Sequence, residues 1–414
     1  MKRLGIYVAV PFCQTKCTYC NFHTGVVSAE RFGPYVEAVC AEIQGYAAFH
    51  AAAGIAARDA GEVKEVDTVY FGGGTPSLLE ASDLGKVLQA IQKTFQPGLR
   101  EVTLEADPET VTEEKAAAWA AAGINRVSFG VQSFVDKELV AAGRMHRKDD
   151  IYRAVPILRA AGIANISFDL IAGLAWQTRA SWEESLGALV KLEPEHVSVY
   201  LLEIDEGSRL GAEILQGGEK YSAGQVPAED VMAEFYDVAR EKLAAAGYGH
   251  YEISNWARPG KQSRHNLKYW RREEYLGFGA GAHSFFGGWR WANAHDAAEY
   301  VKALSGGAEV PGALAGKPVP LLLVAAPAVR GARLPAEQLE EITAEKALEE
   351  ELFLGLRQLA GIDLERIEKQ YGVTLASKFD PLIGAGLLKR EGTVVRLAEE
   401  RLSVSNEVFV ELLK

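Results

Sequence analysis

Cysteine is scarce in this chain, at four in 414 residues. Small secreted folds held by crosslinks spend far more, so a disulfide framework is excluded as the source of stability. Positive charge is also short: 44 Lys and Arg face 56 Asp and Glu, for a net charge of −12. A general nucleic-acid binder carries a basic surplus on one face, so no nucleic-acid partner is expected. No apolar run approaches the ~20 residues that a membrane-spanning helix needs. The stretch 319–329 is too short and holds two prolines. Met1-Lys-Arg-Leu4 leads directly into a strand-like stretch without a signal-peptide pattern. These features together lead us to expect a cytoplasmic protein, with peripheral contact with a membrane left open.

Three of the four cysteines fall within eight residues, as Cys13, Cys17 and Cys20 in the spacing C-x3-C-x2-C. They follow the apolar run Gly5-Ile-Tyr-Val-Ala-Val-Pro-Phe12. Thiolates at that density hold soft metals, and three leave a four-ligand site one short. A zinc site would want a fourth ligand, which His23 could supply. A disulfide would leave one of the three unpaired. The reading that best fits the spacing is a [4Fe–4S] cluster with three irons held by cysteine and the fourth iron open. Cys40 lies apart, on the apolar face of a helical pattern with Val36 and Ile43. It reads as a small buried hydrophobe.

The length allows one large domain and a smaller one. Over the first 205 residues, strand-like runs at 5–10, 66–71, 101–105, 126–131, 165–170 and 197–202 alternate with helical patterns. Apolar residues at i, i+3, i+4 and i+7, as in Phe32, Tyr35, Val36 and Val39, mark the first helix. Strands alternating with helices predict parallel βα units. Six of them make an α/β fold, an open (β/α)6 barrel that is a partial TIM-like barrel. Chemistry in such barrels gathers at the carboxyl ends of the strands. Cys13, Gly72-Gly73-Gly74-Thr75, Glu105, Gln132 and Asp169 all fall there. Any one could be a strand-end cap, a turn or an ion-pair residue; five at equivalent places are hard to attribute to turns alone.

After about 206 the alternation fades. Aromatics, histidines and glycines cluster at 249–256, in His265-Asn-Leu-Lys-Tyr-Trp270 and at 276–285. The Pro-, Gly- and Ala-rich stretch 306–335 reads as a linker. Three helical patterns, a hairpin turning at Glu391-Gly392 and a last helix at 406–413 predict a winged-helix-like α+β domain. The expected division is 1–240 for the barrel, 241–335 for an extension and linker, and 336–414 for the C-terminal domain.

The chain resembles the radical S-adenosylmethionine (radical SAM) proteins, in their coproporphyrinogen III oxidase-like branch, and within it the HemW heme chaperones. The resemblance covers nearly the whole chain. It rests on Tyr7-Val-Ala-Val-Pro-Phe-Cys13, Gly72-Gly-Gly-Thr-Pro76, Gly130-Val-Gln-Ser-Phe134, Gly143-Arg-Met-His146, Asp169-Leu-Ile-Ala-Gly-Leu174, His265-Asn-Leu-Lys-Tyr-Trp270 and the HemN-type tail. It implies a [4Fe–4S] cluster on Cys13, Cys17 and Cys20, with S-adenosylmethionine on the open iron. Tyr7, Gly73, Gly74, Thr75, Glu105, Gln132, Arg144 and Asp169 would contact that cofactor. It implies heme as a further ligand, with His265 offering an imidazole to iron, although a plain structural role for that motif stays open. Heme-accepting apoproteins and a reductant such as flavodoxin or ferredoxin are the implied partners. Oxidases of this branch carry a fourth cysteine where Phe22 stands here, and an N-terminal extension for which the motif at residue 13 leaves no room. Both features favour a chaperone over an enzyme that decarboxylates coproporphyrinogen III. Departures from the pattern are Asn21 for Asp, Asp107 for Asn, and Ala175-Trp176 for Pro-Gly.

Overall fold

The computed structural model describes residues 3–53, 65–304 and 336–413. The linker reading of 306–335 lies outside them.

Six parallel strands form the heart of the molecule: β1 (Arg3–Val10), β2 (Glu65–Gly73), β3 (Gln96–Ala106), β4 (Arg126–Gln132), β5 (Asn165–Ala172) and β6 (His196–Leu201). They are hydrogen-bonded in sequence order. Ile6, Val69, Phe71, Leu104, Val127, Phe129, Ile166, Phe168 and Val197 have no measurable exposure. Strands buried on both faces need such continuous apolar runs, which is why these six were readable. Helices α1 (Phe32–Ala53), α2 (Ala81–Thr94), α3 (Glu113–Ala122), α4 (Lys148–Ala160) and α5 (Arg179–Leu192) return the chain between strands. The face Leu84, Val87, Leu88, Ile91 of α2 is buried. Thr112 caps α3 by accepting from the Lys115 N–H, and Gly123 ends it at φ 99°. A further helix, α6 (Glu229–Ala245), packs on α5.

The sheet continues beyond these six strands. Beside β6 lie β7 (Gly249–Glu252) and β8 (Asn255–Ala257), both antiparallel. On the other side, β9 (Tyr275–Phe278) pairs parallel with β1, bringing Gly5 opposite Tyr275 and Tyr7 opposite Gly277. An antiparallel series β10 (His283–Phe286), β11 (Trp289–Asn293) and β12 (Ala336–Glu341) follows. The order is β12-β11-β10-β9-β1-β2-β3-β4-β5-β6-β8-β7, open at both ends. The seventh parallel strand was not anticipated. It is only four residues long, and its Gly277 is required by packing: a Cβ there would lie 2.2 Å from the His283 carbonyl oxygen.

Helix α7 (Arg264–Trp270) closes the amino end of the barrel. Its first turn donates the Arg264 and His265 N–H groups to the Glu101 carboxylate, each at 3.0 Å. Lys268, with a side chain 3% exposed, pairs with Asp67 at 2.8 Å and Glu273 at 3.2 Å. A Cβ on Gly5 would lie 2.9 Å from Lys268 Cδ, so β1 and α7 touch closely there.

The C-terminal unit holds α8 (Ala344–Leu356), α9 (Leu364–Tyr371), α10 (Ala376–Gly384) and α11 (Ser405–Leu413). A small sheet in the order β13 (Ile362–Asp363), β15 (Val394–Leu397), β14 (Leu388–Glu391) completes the winged-helix-like shape. The strand β12, at the expected start of this unit, is instead the edge strand of the large sheet. Arg357 fixes the unit to the barrel by donating from Nη2 to Glu252 Oε1 at 2.9 Å, with Glu252 fully buried. Among the described residues no helix is long and apolar enough to cross a membrane.

Candidate functional site

A cleft of about 610 Å³ opens at the carboxyl ends of the strands. Its walls include Cys13, Cys17, Cys20, Gly73, Gly74, Thr75, Glu105, Gln132, Arg144 and Asp169. Nine of the sequence-expected cofactor and cluster residues thus share one rim with Glu105. Two others do not.

The three cysteines are free thiols, half-buried, on the loop that leaves β1. That loop is fastened by backbone bonds: Phe12 and Cys13 pair with Gly25 and Val26, and the Gly74 and Thr75 N–H groups donate to Val10 and Phe12 carbonyls at 2.8 and 2.7 Å. Among the described residues, no three His, Cys, Asp or Glu side chains converge closely enough to hold a single metal ion. Three thiols on one loop are the donor set of an iron–sulfur cluster, in which each thiolate takes a different iron. Burial raises the Cys13 thiol above its ordinary value, with bonds from Thr24 and Thr75 working against it. Cys40 is buried in the core.

The glycine run proves to have two tasks. Gly73 has φ 112°, and its N–H donates to Glu105 Oε2 at 3.0 Å. Gly74 is demanded by the cysteine loop itself, since a Cβ would lie 2.5 Å from the Phe12 carbonyl oxygen. Gly74 thus serves the loop while it also lines the cleft.

Four carboxylates line the cleft, Glu105, Asp107, Asp169 and the exposed Glu203. Glu105 Oε1 accepts from the Tyr70 hydroxyl at 2.8 Å. Burial pushes its carboxyl up to about 7, opposed by the Tyr70 bond and assisted by Asp169. Asp169 accepts from Ser128 at 3.1 Å, and burial raises it too. Such a cleft favours a ligand with positive charge, which would relieve the carboxylates' mutual repulsion. Arg144, its side chain 9% exposed, is a buried cation in the same cleft, which Lys16 and Arg357 also line. It pairs with Asp107, donates from Nη2 to the Gly130 carbonyl at 2.9 Å and from Nη1 to Cys17 Sγ at 3.4 Å. Its Nε, buried, has no partner among the described residues. Gln132 reaches the rim from a backbone at φ 61° where the β4–β5 register slips. A non-glycine residue in that region is uncommon.

Asp107 was noticed in the sequence only as a departure, yet it joins Arg144 to the Thr75 hydroxyl, which donates at 3.2 Å. The signal available was its position two residues beyond Glu105, on the same rim. Arg357, Leu402, Ser403, Ser405 and Asn406 of the C-terminal unit also line the cleft. Ser405 and Asn406 belong to the HemN-type tail of the resemblance, but the sequence assigned none of the five to the cleft.

Tyr7 lies one layer lower than expected. It precedes the strand end by three residues, stacks on Tyr70 with centroids 6.0 Å apart, and does not line the cleft. His265 is displaced further. Its Nδ1 bonds Thr68 Oγ1 at 2.9 Å, its Nε2 meets the Tyr269 hydroxyl at 2.8 Å, and the residue is 1% exposed. Burial, with Lys268 nearby, pushes its imidazole down to about 3. Both nitrogens are occupied inside the barrel, and in this conformation His265 belongs to the plug formed by α7, the structural role that the motif left open.

The family model for the radical SAM superfamily matches residues 7–189, and that for the HemN C-terminal domain matches 342–400. A loop of three thiolates on a partial barrel is thus the site of a radical SAM protein. The chain is 33% identical over 409 residues to the heme chaperone HemW of Bacillus subtilis, covering 97% of each. It is 30% identical to the heme chaperone HemW of Lactococcus lactis, covering 98% of this chain and 96% of that one. Among solved structures, coproporphyrinogen III oxidase (HemN) from Escherichia coli aligns with a TM-score of 0.76 at 20% identity, covering 99% of this chain and 90% of that one. The chain belongs to the HemW family of the radical SAM superfamily.

Proposed function

We propose that this protein is a heme chaperone that carries a [4Fe–4S] cluster and S-adenosylmethionine and delivers heme to acceptor apoproteins. The observation that carries the reading is the meeting of three half-buried free thiols with carboxylates in one cleft on the barrel rim. Cys13, Cys17 and Cys20 would hold the cluster. Glu105, Asp107 and Asp169 suit the sulfonium and amino group of S-adenosylmethionine, and Arg144 suits its carboxylate. Gly73, Thr75 and Gln132 complete the wall around it, with Tyr7 supporting Tyr70 beneath. When bound, the cluster and S-adenosylmethionine supply one-electron chemistry, for which a flavodoxin- or ferredoxin-like reductant would be the electron source. The residues of this chain orient the ligand, hold Cys17 beside the Arg144 guanidinium and close the barrel from below with α7.

The test uses anaerobically reconstituted protein. About four irons and four sulfides per chain, about one heme per chain, and heme transfer to an apoprotein such as apomyoglobin are expected. No coproporphyrinogen III should be decarboxylated with reductant and S-adenosylmethionine present. Formation of protoporphyrinogen IX would overturn the chaperone reading in favour of the oxidase.

A further inference from the structure

A heme carrier needs an imidazole, or another donor, free to reach iron. His146, His196 and His265 are at most 1% exposed and cannot reach a cargo, and the His250 ring is stacked on Trp256 with centroids 4.0 Å apart. Among the histidines whose side chains are described, His23, His283 and His295 remain. His23 and His283 are exposed and His295 is half-buried. Neither His23 nor His283 lines the cleft itself; His283 lies on β10, whereas His23 sits between the lining residues Phe22 and Thr24. His23 stands on the cleft's own rim loop.

The local geometry presents His23 outward. The Thr24 N–H donates to the Phe22 carbonyl at 2.8 Å, so His23 is the apex of a three-residue turn. The turn is anchored on both sides, by Cys20 bonded to Cys17 and by Gly25 bonded to Pro11. Its ring packs on His295, with centroids 4.4 Å apart and planes at 39°. His295 Nδ1 is buried and has no hydrogen-bond partner among the described residues. On either side of His23, Phe22 is 66% exposed and Val26 60% exposed. Large apolar side chains so open to water, beside an imidazole, suit the flat apolar face of a porphyrin. The Lys16 ammonium, which donates to the Phe22 carbonyl at 3.5 Å, adds a positive charge for a propionate. Phe22, Thr24 and Lys16 all line the cleft.

We propose that His23 is the axial ligand of the carried heme, backed by His295, with Phe22 and Val26 against the porphyrin and Lys16 pairing a propionate. This rests on the heme-chaperone reading and replaces His265 as the iron's partner. It places the cargo on the loop that bears the cluster cysteines.

The experiment titrates hemin into the full-length chain and into H23A, H295A and H265A, reading the Soret band, the ferric electron paramagnetic resonance signal and the dissociation constant. H23A should shift the Soret band and weaken binding by about tenfold or more, while keeping full iron and sulfide content after reconstitution. Free imidazole should restore the spectrum of H23A. H265A should keep the Soret position and lose thermal stability instead. An unchanged spectrum and affinity in H23A, or loss of the ligand signature only in H265A, would overturn the assignment. Loss of the cluster in H23A would overturn it too, because His23 would then serve the iron–sulfur site. A parent chain that takes up its cluster but binds no hemin would sink the chaperone reading itself, a result distinct from any ligand swap.

Discussion

Glu105 offers the sharpest quantitative test of the cleft. Burial raises its carboxyl from 4.5 to about 7. In the protein without ligand, the protonated form is therefore favoured by folding. That contribution is fully present below pH 4.5 and is lost as pH rises through about 7, a loss of roughly 3 kcal/mol at 1.36 kcal/mol per pH unit. A cationic ligand reverses the preference, because it favours the carboxylate. At pH 6 about a tenth of Glu105 would be ionised, and at pH 8 about nine tenths, so its share of the binding should strengthen about tenfold across that range. S-adenosylmethionine titrates too, and Glu105→Gln removes only the protein's contribution. The ratio of wild-type to E105Q affinity, measured by calorimetry on clustered protein between pH 6 and 8, should rise about tenfold. A flat ratio would refute the argument, whatever the absolute affinities. The same substitution should flatten the loss of thermal stability of the ligand-free protein between pH 5 and 7.

Further outcomes are expected. Replacing Cys13, Cys17 or Cys20 with Ala should abolish the cluster's visible absorption, whereas Cys40→Ala should leave it intact; full iron content in Cys17→Ala would reject the assignment. Arg144→Ala should weaken S-adenosylmethionine binding by about 1.5–3 kcal/mol, the range for a charge-assisted bond, and calorimetry showing no change would remove Arg144 from the site. Lys268→Met should lower stability in chemical denaturation by about 3–5 kcal/mol, because the buried Asp67 loses its near cation and keeps only the half-exposed Arg3 at 3.9 Å; restoring stability with Asp67→Asn in the same chain would confirm that cause.

The six barrel strands were legible because a strand buried on both faces must be apolar along its whole length. The rim followed from topology alone, since parallel βα units put all their strand ends on one side. What escaped reading has equally physical reasons. Tyr275-Leu-Gly-Phe278 is too short for a pattern, and its glycine, a weak strand former, is there for a close carbonyl. Trp176 occupies a position where the family commonly has Gly, and the backbone there shows why, at φ 71°. The tryptophan keeps that turn, with the Lys137 ammonium 3.5 Å over its ring. Asp107 could not be promoted from a departure to a partner of Arg144 without knowing that residues 37 apart in sequence meet.

The place of His265 bears on how the cleft works. Histidine and tyrosine suit a metal site and a buried hydrogen-bond network equally well, so their density in His265-Asn-Leu-Lys-Tyr-Trp270 could not decide between them. The structure decides by partners: Thr68 and Tyr269 take the ring, Glu101 takes the helix start, and Asp67 and Glu273 take Lys268. The His265 ring then lies 5.3 Å from Tyr70, whose hydroxyl donates to Glu105. A change in α7 therefore reaches the cofactor rim through two contacts, without α7 touching a ligand. Loss of function on altering this motif is thus compatible with a positioning role. Such a role separates from ligation by its spectrum: packing defects in α7 should alter S-adenosylmethionine affinity and stability while leaving the Soret band where it was.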